Sequence, residues 1–221
     1  MNDKREIFSS VLPFFSKLKE GEKIALEQVS TFTKKEAGVI LHAGKEDCSG
    51  LFVLKKGRIR GYMVTEDGKE ITLFRLVDNE ICIFSASCMM KNIRFDVWLL
   101  SETPVEYLLV PTYYFDKLSN ENIYVSKYTN EILNKRMSDV MWVLEQMVFM
   151  SFDKRLANFL LEEYQLNKKD KLKITHEQIA NHIGSAREVV SRMLKYFEGE
   201  GYVKLGRGSI HLVNIKGLEK I

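Results

Sequence analysis

Cysteine is scarce in this chain, three in 221 residues, and the scarcity removes several chemistries at once. Cys48, Cys82 and Cys88 fall short of the four thiolates that hold an iron–sulfur cluster, and none precedes residue 48. The spacing of Cys82 and Cys88 matches no metal or redox signature, so these thiols read as small buried apolar residues. No run of about 18 apolar residues is available to span a bilayer. Residues 1–6 are charged and lack the apolar core of a signal peptide. A cytoplasmic protein with no membrane partner is expected. Enzyme signatures are missing as well: no nucleophile elbow, zinc-binding helix or phosphate loop accompanies the scattered serines, histidines and carboxylates. Neither a catalytic residue nor a metal site is expected.

What is present suits two small domains, since 45% apolar composition over 221 residues can fill two cores. Charge is divided unevenly. Residues 153–221 hold 13 Lys and Arg against 9 Asp and Glu, net +4, whereas residues 1–152 hold 20 against 21, net −1. The C-terminal third is therefore where a polyanion would bind.

That third also carries the most specific pattern. Thr175 followed by Gln178, and Ser185 followed by Glu188, each fit a capping box, so two helices are expected to start ten residues apart. Gly184 between them supplies a turn that needs positive φ, and Ile179, Ala180 and Ile183 give the first helix a buried side with a small residue at the crossing. In the second helix Val189, Val190, Met193, Leu194 and Phe197 form one stripe, while Arg187, Glu188, Ser191, Arg192 and Lys195 repeat that spacing one face over. A solvated surface helix would show the same stripe. The neighbouring hairpin at 203–213 around Gly206, Arg207 and Gly208 turns the pair into a winged helix-turn-helix, a combination far more specific than any single part.

Upstream, residues 8–18 and 23–29 read as short helices. Apolar alternation argues strands at 39–41, 51–54, 59–64, 71–76, 95–100 and 105–110, with Asp67-Gly68 a hairpin turn and Pro104 and Pro111 at strand ends. This series of short strands in one domain suits a jelly roll, an eight-stranded fold. From residue 120 to 150 the pattern becomes a long helix in which Leu133, Met137, Val140, Leu144 and Met147 recur at 4, 3, 4 and 3, the seam of a coiled coil, although a single core helix shows the same stripe. Residues 149–154 would be the hinge, and Arg155, Leu156, Phe159, Leu160 and Leu161 would begin the next helix.

The segment I-A-N-H-I-G-S-A-R-E-V-V-S-R-M-L, residues 179–194, resembles the recognition unit of the Crp/Fnr superfamily of bacterial transcription regulators. Gly44, L-F-V-L-K-K-G at 51–57 and E-D-G-K-E at 66–70 resemble that family's jelly-roll sensor domain, in the same order. The resemblance implies an α+β chain: a cyclic-nucleotide-binding-like jelly roll with N-terminal helices at 1–118, a dimerisation helix and hinge at 119–150, and a winged helix-turn-helix at 151–221. It also implies a homodimer joined along the long helix, an inverted-repeat operator on double-stranded DNA, and RNA polymerase as a partner. By geometry Arg187 and Arg192 suit guanine, Glu188 a cytosine amino group, and Ser191 a base or phosphate. Lys195, Arg207, Ser209 and His211 are expected to hold phosphates, and Thr175, Gln178, Ala180, Gly184, Ser185 and Val190 to shape the motif. Arg187, Glu188 and Arg192 match the reading residues of the Crp branch, and Glu188, Ser191 and Arg192 those of the Fnr branch. A TGA-containing half-site is expected.

The effector is read mainly by exclusion. Cyclic-nucleotide binders of the family cradle phosphate with a Gly-Glu turn and an Arg followed by Ser or Thr. Here no glycine occurs between Gly68 and Gly184, Glu80 lacks a glycine neighbour, and Arg94 precedes Phe95. On the long helix, Val140 and Met141 stand where cAMP-binding relatives offer hydroxyls, so cAMP is not the expected effector. Iron–sulfur sensing lacks its thiolates. Haem would need His42 or a cysteine as axial ligand, although a lone histidine beside a strand is more often a satisfied or surface residue. An unidentified small molecule near Glu80, Cys82, Phe84, Arg94, Val140 and Met141 is the expected effector. The competing class is a ligand-binding or protein-interaction module whose winged domain docks another protein.

Overall fold

The computed structural model describes residues 2–44, 49–83 and 96–221. By its contacts the chain divides into two units, Met1–Met63 with Leu73–Val140, and Val64–Thr72 with Met141–Ile221.

In the first unit Pro13 interrupts what the apolar pattern reads as one helix. Helix α1 (Asn2–Val11) ends before it, and Pro13 opens a 3₁₀ turn, Pro13–Lys17, at the position where a missing N–H costs nothing. Helix α2 (Glu20–Val29) follows. Then come β1 (Thr31–Lys35), β2 (Ile40–Ala43), β3 (Leu51–Lys56), β4 (Ile59–Val64), β5 (Glu70–Leu76), β6 (Ile81–Cys82), β7 (Trp98–Ser101) and β8 (Val105–Val110). They form two four-stranded sheets, in the orders β1-β8-β3-β6 and β2-β7-β4-β5. Strand β1 carries T-F-T-K-K, whose largely exposed side chains left no alternation to read. The apolar run Leu51-Phe52-Val53-Leu54 is buried throughout because both faces of β3 are covered. Leu51 and Val53 join α1, α2 and the helices after β8 in one core cluster, while the Phe52 ring lies 4.7 Å from that of Tyr107.

Two helices follow: α3 (Thr112–Glu121), opened by Pro111, and α4 (Ile123–Phe149). The expected single helix from 120 is thus two, because the backbone is extended at Asn122, with φ −126° and ψ 113°. Helix α4 has 27 residues, roughly 40 Å of length.

In the second unit α5 (Phe152–Asn167) begins after Ser151, and Lys168 closes it in the left-handed region. Then follow β9 (Lys171–Leu172), α6 (His176–Ile183), α7 (Arg187–Gly199), β10 (Val203–Gly206), β11 (Ser209–Leu212) and α8 (Ile215–Leu218). The wing is a three-stranded sheet, β10-β11-β9, one strand more than the expected hairpin. Leu156, Leu160, Ile179, Val190, Leu194 and Phe197, all fully buried, centre the core of this unit. Among the described residues no helix is long and apolar enough to cross a membrane.

Candidate nucleic-acid interface and sensor region

The helix pair is built from its caps inward. Thr175 Oγ1 accepts the Gln178 N–H at 3.1 Å, and the Thr175 N–H donates to Gln178 Oε1 at 2.9 Å. This reciprocal pair satisfies two amides that helix α6 cannot bond itself. The helix ends at Gly184, φ +64°, whose N–H donates to the Ala180 carbonyl. A residue with a Cβ would pay roughly 1–2 kcal/mol for that left-handed backbone.

Ser185 does not open the second helix as its sequence signature suggests. Its N–H follows Gly184 onto the same Ala180 carbonyl, at 3.0 Å, so Ser185 belongs to the turn. The N-cap of α7 is Ala186, which has no side-chain oxygen to offer, and the Ser185–Glu188 box does not form. Glu188 keeps a role in the first turn, where its charge suits the positive end of the helix.

Helix α7 sorts its side chains cleanly. Val190, Leu194 and Phe197 are buried in the cluster that also holds Ala180, while Arg187, Glu188, Arg192 and Lys195 are exposed together on the opposite face. Ser191 differs from its neighbours. It is half-buried, with Oγ 2.8 Å from His176 Nδ1, so a base would share or displace a protein partner. Burial, and next the charge of Arg187, hold the His176 imidazole below its usual value. The ring beside Ser191 is thereby biased towards its neutral form.

At the wing tip Arg207 is exposed, and Gly208, φ +66°, helps close the turn. Ser209 is half-buried, and His211 Nε2 lies 3.1 Å from Asp170 Oδ2. That contact holds the Asp170 carboxyl below its usual range, and it gives the imidazole a partner that a phosphate would compete with. Two cations escaped the sequence reading. Lys204 and Lys171 are the register partners of His211 on either side, and all three are exposed, so they line up across one face of the wing. Strand β9, only two residues long, carries no periodicity that would have revealed the row. Glu198 Oε1 accepts the Leu205 N–H at 2.7 Å, tying the end of α7 to the wing. In the first turn of α5, Arg155 Nη1 donates to the Ile183 carbonyl at 3.2 Å and lies 2.6 Å from Met147 Sδ.

Comparison with known proteins agrees with this geometry. The Crp-like helix-turn-helix domain family matches residues 154–221. A solved structure assigned to the Crp/Fnr family of transcriptional regulators, from Eubacterium rectale, is 42% identical with a TM-score of 0.93, covering 95% of this chain and 97% of its own. The chain belongs to the Crp/Fnr family. It is also similar to the global nitrogen regulator of a Nostoc species, 30% identical over 152 residues, 65% of this chain and 68% of that one. The cAMP-activated global transcriptional regulator CRP of Pasteurella multocida is 25% identical over 167 residues, 73% of this chain and 79% of that one. These relatives are transcription regulators, not enzymes, and this chain is a transcription regulator of the Crp/Fnr type with the α+β fold of that family: jelly roll, long helix, winged helix-turn-helix.

In this Crp/Fnr chain Glu80, one of the expected sensor residues, meets partners other than the expected ones. Its Oε1 is paired with Lys135 Nζ, its Oε2 accepts the Val77 N–H at 3.2 Å, and Arg136 Nη2 is 3.5 Å from Oε2. The residues of α4 that face Glu80 are thus Lys135 and Arg136. Val140 is half-buried one turn further along, and Met141 is exposed. Arg136 was missed because nothing in a run of charged helix residues marks the one that the sheet will cover. Cys82 is buried opposite Phe52. His42 is buried with Nδ1 3.1 Å from Ser49 Oγ. Phe84 and Arg94 lie outside the described residues, as do Cys48 and Cys88. Among the described residues no three His, Cys, Asp or Glu gather to hold a metal ion.

The apolar stripe of α4 divides in two. Leu133 packs against the core of the first unit, so it is not part of the open face. Met137, Met141, Leu144 and Met147 are 60%, 48%, 51% and 43% exposed, and Phe149 is 82% exposed. Val140 is half-buried beside them. So many large apolar side chains on one exposed helix mark an interaction surface.

Proposed function

We propose that the protein binds double-stranded DNA as a homodimer, with α7 of each protomer in the major groove of one half-site of an inverted repeat, and that a small molecule in the jelly roll controls it. The observation that carries this reading is the sorting of α7: Arg187, Glu188 and Arg192 face solvent while Val190, Leu194 and Phe197 hold the helix in the core. Three hydrogen-bonding side chains on a rigid, anchored helix are what base-edge readout requires. Arg187 and Arg192 address guanine, Glu188 a cytosine amino group, and Ser191 contributes when His176 yields it. Lys195, Arg207 and the row Lys204, His211 and Lys171 hold phosphates. The exposed face of α4, from Met137 to Met147, is the pairing surface, which sets half-sites about 34–36 Å apart. The protein then works in the cytoplasm, where the family resemblance implies contact with RNA polymerase.

Selection of retained duplexes from a randomised pool tests the reading. The expected result is a two-fold symmetric consensus with a TGA-containing half-site, lost on Arg187→Ala. Retention without a symmetric consensus, or none at all, would leave the winged domain as a docking module for another protein.

A further inference from the structure

Arg136 projects from α4 with 3% of its side chain exposed. One part of its guanidinium is used: Nη1 donates to Asp139 Oδ2 at 2.7 Å. The other edge, Nε with Nη2, is buried and has no hydrogen-bond partner among the described residues. Glu80 does not fill it. Its Oε2 stands 3.5 Å from Nη2, and its two oxygens are occupied by Lys135 Nζ and the Val77 N–H. The Phe74 ring lies 4.9 Å from the guanidinium carbon. Phe74 is itself fixed against Gly61, where a Cβ would stand 2.3 Å from the ring. The Asp139 hydrogen bond at Nη1 and packing on Phe74 together hold the planar guanidinium, and with it this edge, in its orientation.

Nε and Nη2, without a hydrogen bond among the described residues, are the side-on edge of the guanidinium, whose parallel N–H bonds match two oxygens of a carboxylate or a phosphate. Burying a charged donor edge that makes no hydrogen bond to any described residue, with only the 3.5 Å ion pair to Glu80 beside it, is unfavourable, and a ligand that supplies both oxygens removes the penalty. We propose that Arg136 anchors a small-molecule oxyanion, bound bidentately by Nε and Nη2 over Phe74, as the effector of this protein. The proposal rests on the reading of the jelly roll as a sensor. It also gives the sensor a route to the rest of the chain: Met137, the next residue, is 60% exposed on the pairing face of α4. A ligand that fixes Arg136 acts one residue away from that surface, and it shifts pairing only as far as it prefers one arrangement of the helix.

The test uses the full chain with two probes, succinate for the carboxylate source and inorganic phosphate for the phosphate source, each to about 10 mM against sodium chloride of matched ionic strength. Saturable heat of binding and a raised Tm with one probe are expected; which probe acts identifies the source. Arg136→Met should abolish the effect. Arg136→Lys, which keeps the charge but not the paired N–H edge, should weaken binding at least about tenfold. Neither probe binding saturably, or Arg136→Lys binding as tightly as wild type, overturns the proposal. The lysine variant carries the test should the methionine variant not fold. A gel shift on the same samples separates the two readings. DNA retention without probe binding removes the anion site alone, and probe binding without DNA retention removes the DNA reading alone.

Discussion

The proposed pairing face of α4 makes the most direct prediction about assembly. Met137, Met141, Leu144 and Met147 are between 43% and 60% exposed, which leaves open a surface equal to about two whole side chains in each protomer. Fully burying one such side chain is worth about 1.5–3 kcal/mol. Leu144 is 51% exposed, so pairing gains about 1 kcal/mol from it per protomer. Two-fold symmetry counts that loss twice, and the cavity left by Leu144→Ala adds to it. The expected cost is about 2–3 kcal/mol, a roughly 30- to 140-fold higher dimer Kd. Leu144→Glu should cost more, because it sets two carboxylates near the symmetry axis. Glu145→Ala, on an exposed position outside the stripe, should change nothing. Sedimentation velocity over a dilution series reads all four proteins. A wild-type chain that sediments as a monomer at every concentration, or a Leu144→Ala dimer as tight as wild type, would refute the assignment of this face.

Three further outcomes follow from the second unit. Arg187→Ala or Arg192→Ala should cost about 1–3 kcal/mol of preference for the operator over a scrambled duplex. By contrast, Arg207→Ala or Lys204→Ala should weaken both duplexes alike and lower the salt slope by about one; equal losses from both classes of substitution would contradict the division of roles. Thr175→Ala should destabilise the unit by about 1 kcal/mol, whereas Ser185→Ala should cost less, since no cap is lost; denaturant titrations that rank them the other way would overturn the corrected helix start. The depressed His176 pKa means that the unfolded chain binds its proton more readily. Stability contributed by the neutral ring is present above about 6.5, the unfolded value, and is lost as pH falls through the lower folded value. Thermal unfolding should thus show a Tm that drops on acidification below that point, and His176→Gln should flatten the drop. A steeper drop in the variant would reverse the sign.

Much of the fold was readable where the controlling interactions are local. The Thr175–Gln178 box closes within four residues, and Gly184 is the only kind of residue that turns left-handed there without cost, so both were legible. Ser185 carries an equally good local signature, but the termination of α6 claims its N–H first. Strands β1 and β9 were invisible for different reasons: the first shows mostly polar side chains, and the second exists only because β11, nearly forty residues downstream, pairs with it. The α4 stripe was visible as a stripe. Its periodicity is the same whether the jelly-roll core or a second chain covers it, and for that reason Leu133 was grouped with Met137 and Leu144 although it packs inward.

Residue order alone determined the helix periods, the caps, the turn glycine and the cationic bias of the last third, because each depends on neighbours within a few positions along the chain. It therefore determined the family and the two helices of the helix-turn-helix. Tertiary structure decided which groups are enclosed and by what. Arg136 becomes a buried guanidinium with an open edge only when Phe74 and Glu80 are brought against it, and Ser191 acquires a partner only when α6 folds back on α7. Burial and long-range pairing depend on chain closure over tens of residues, and a linear pattern does not record which distant surface closes over a given side chain.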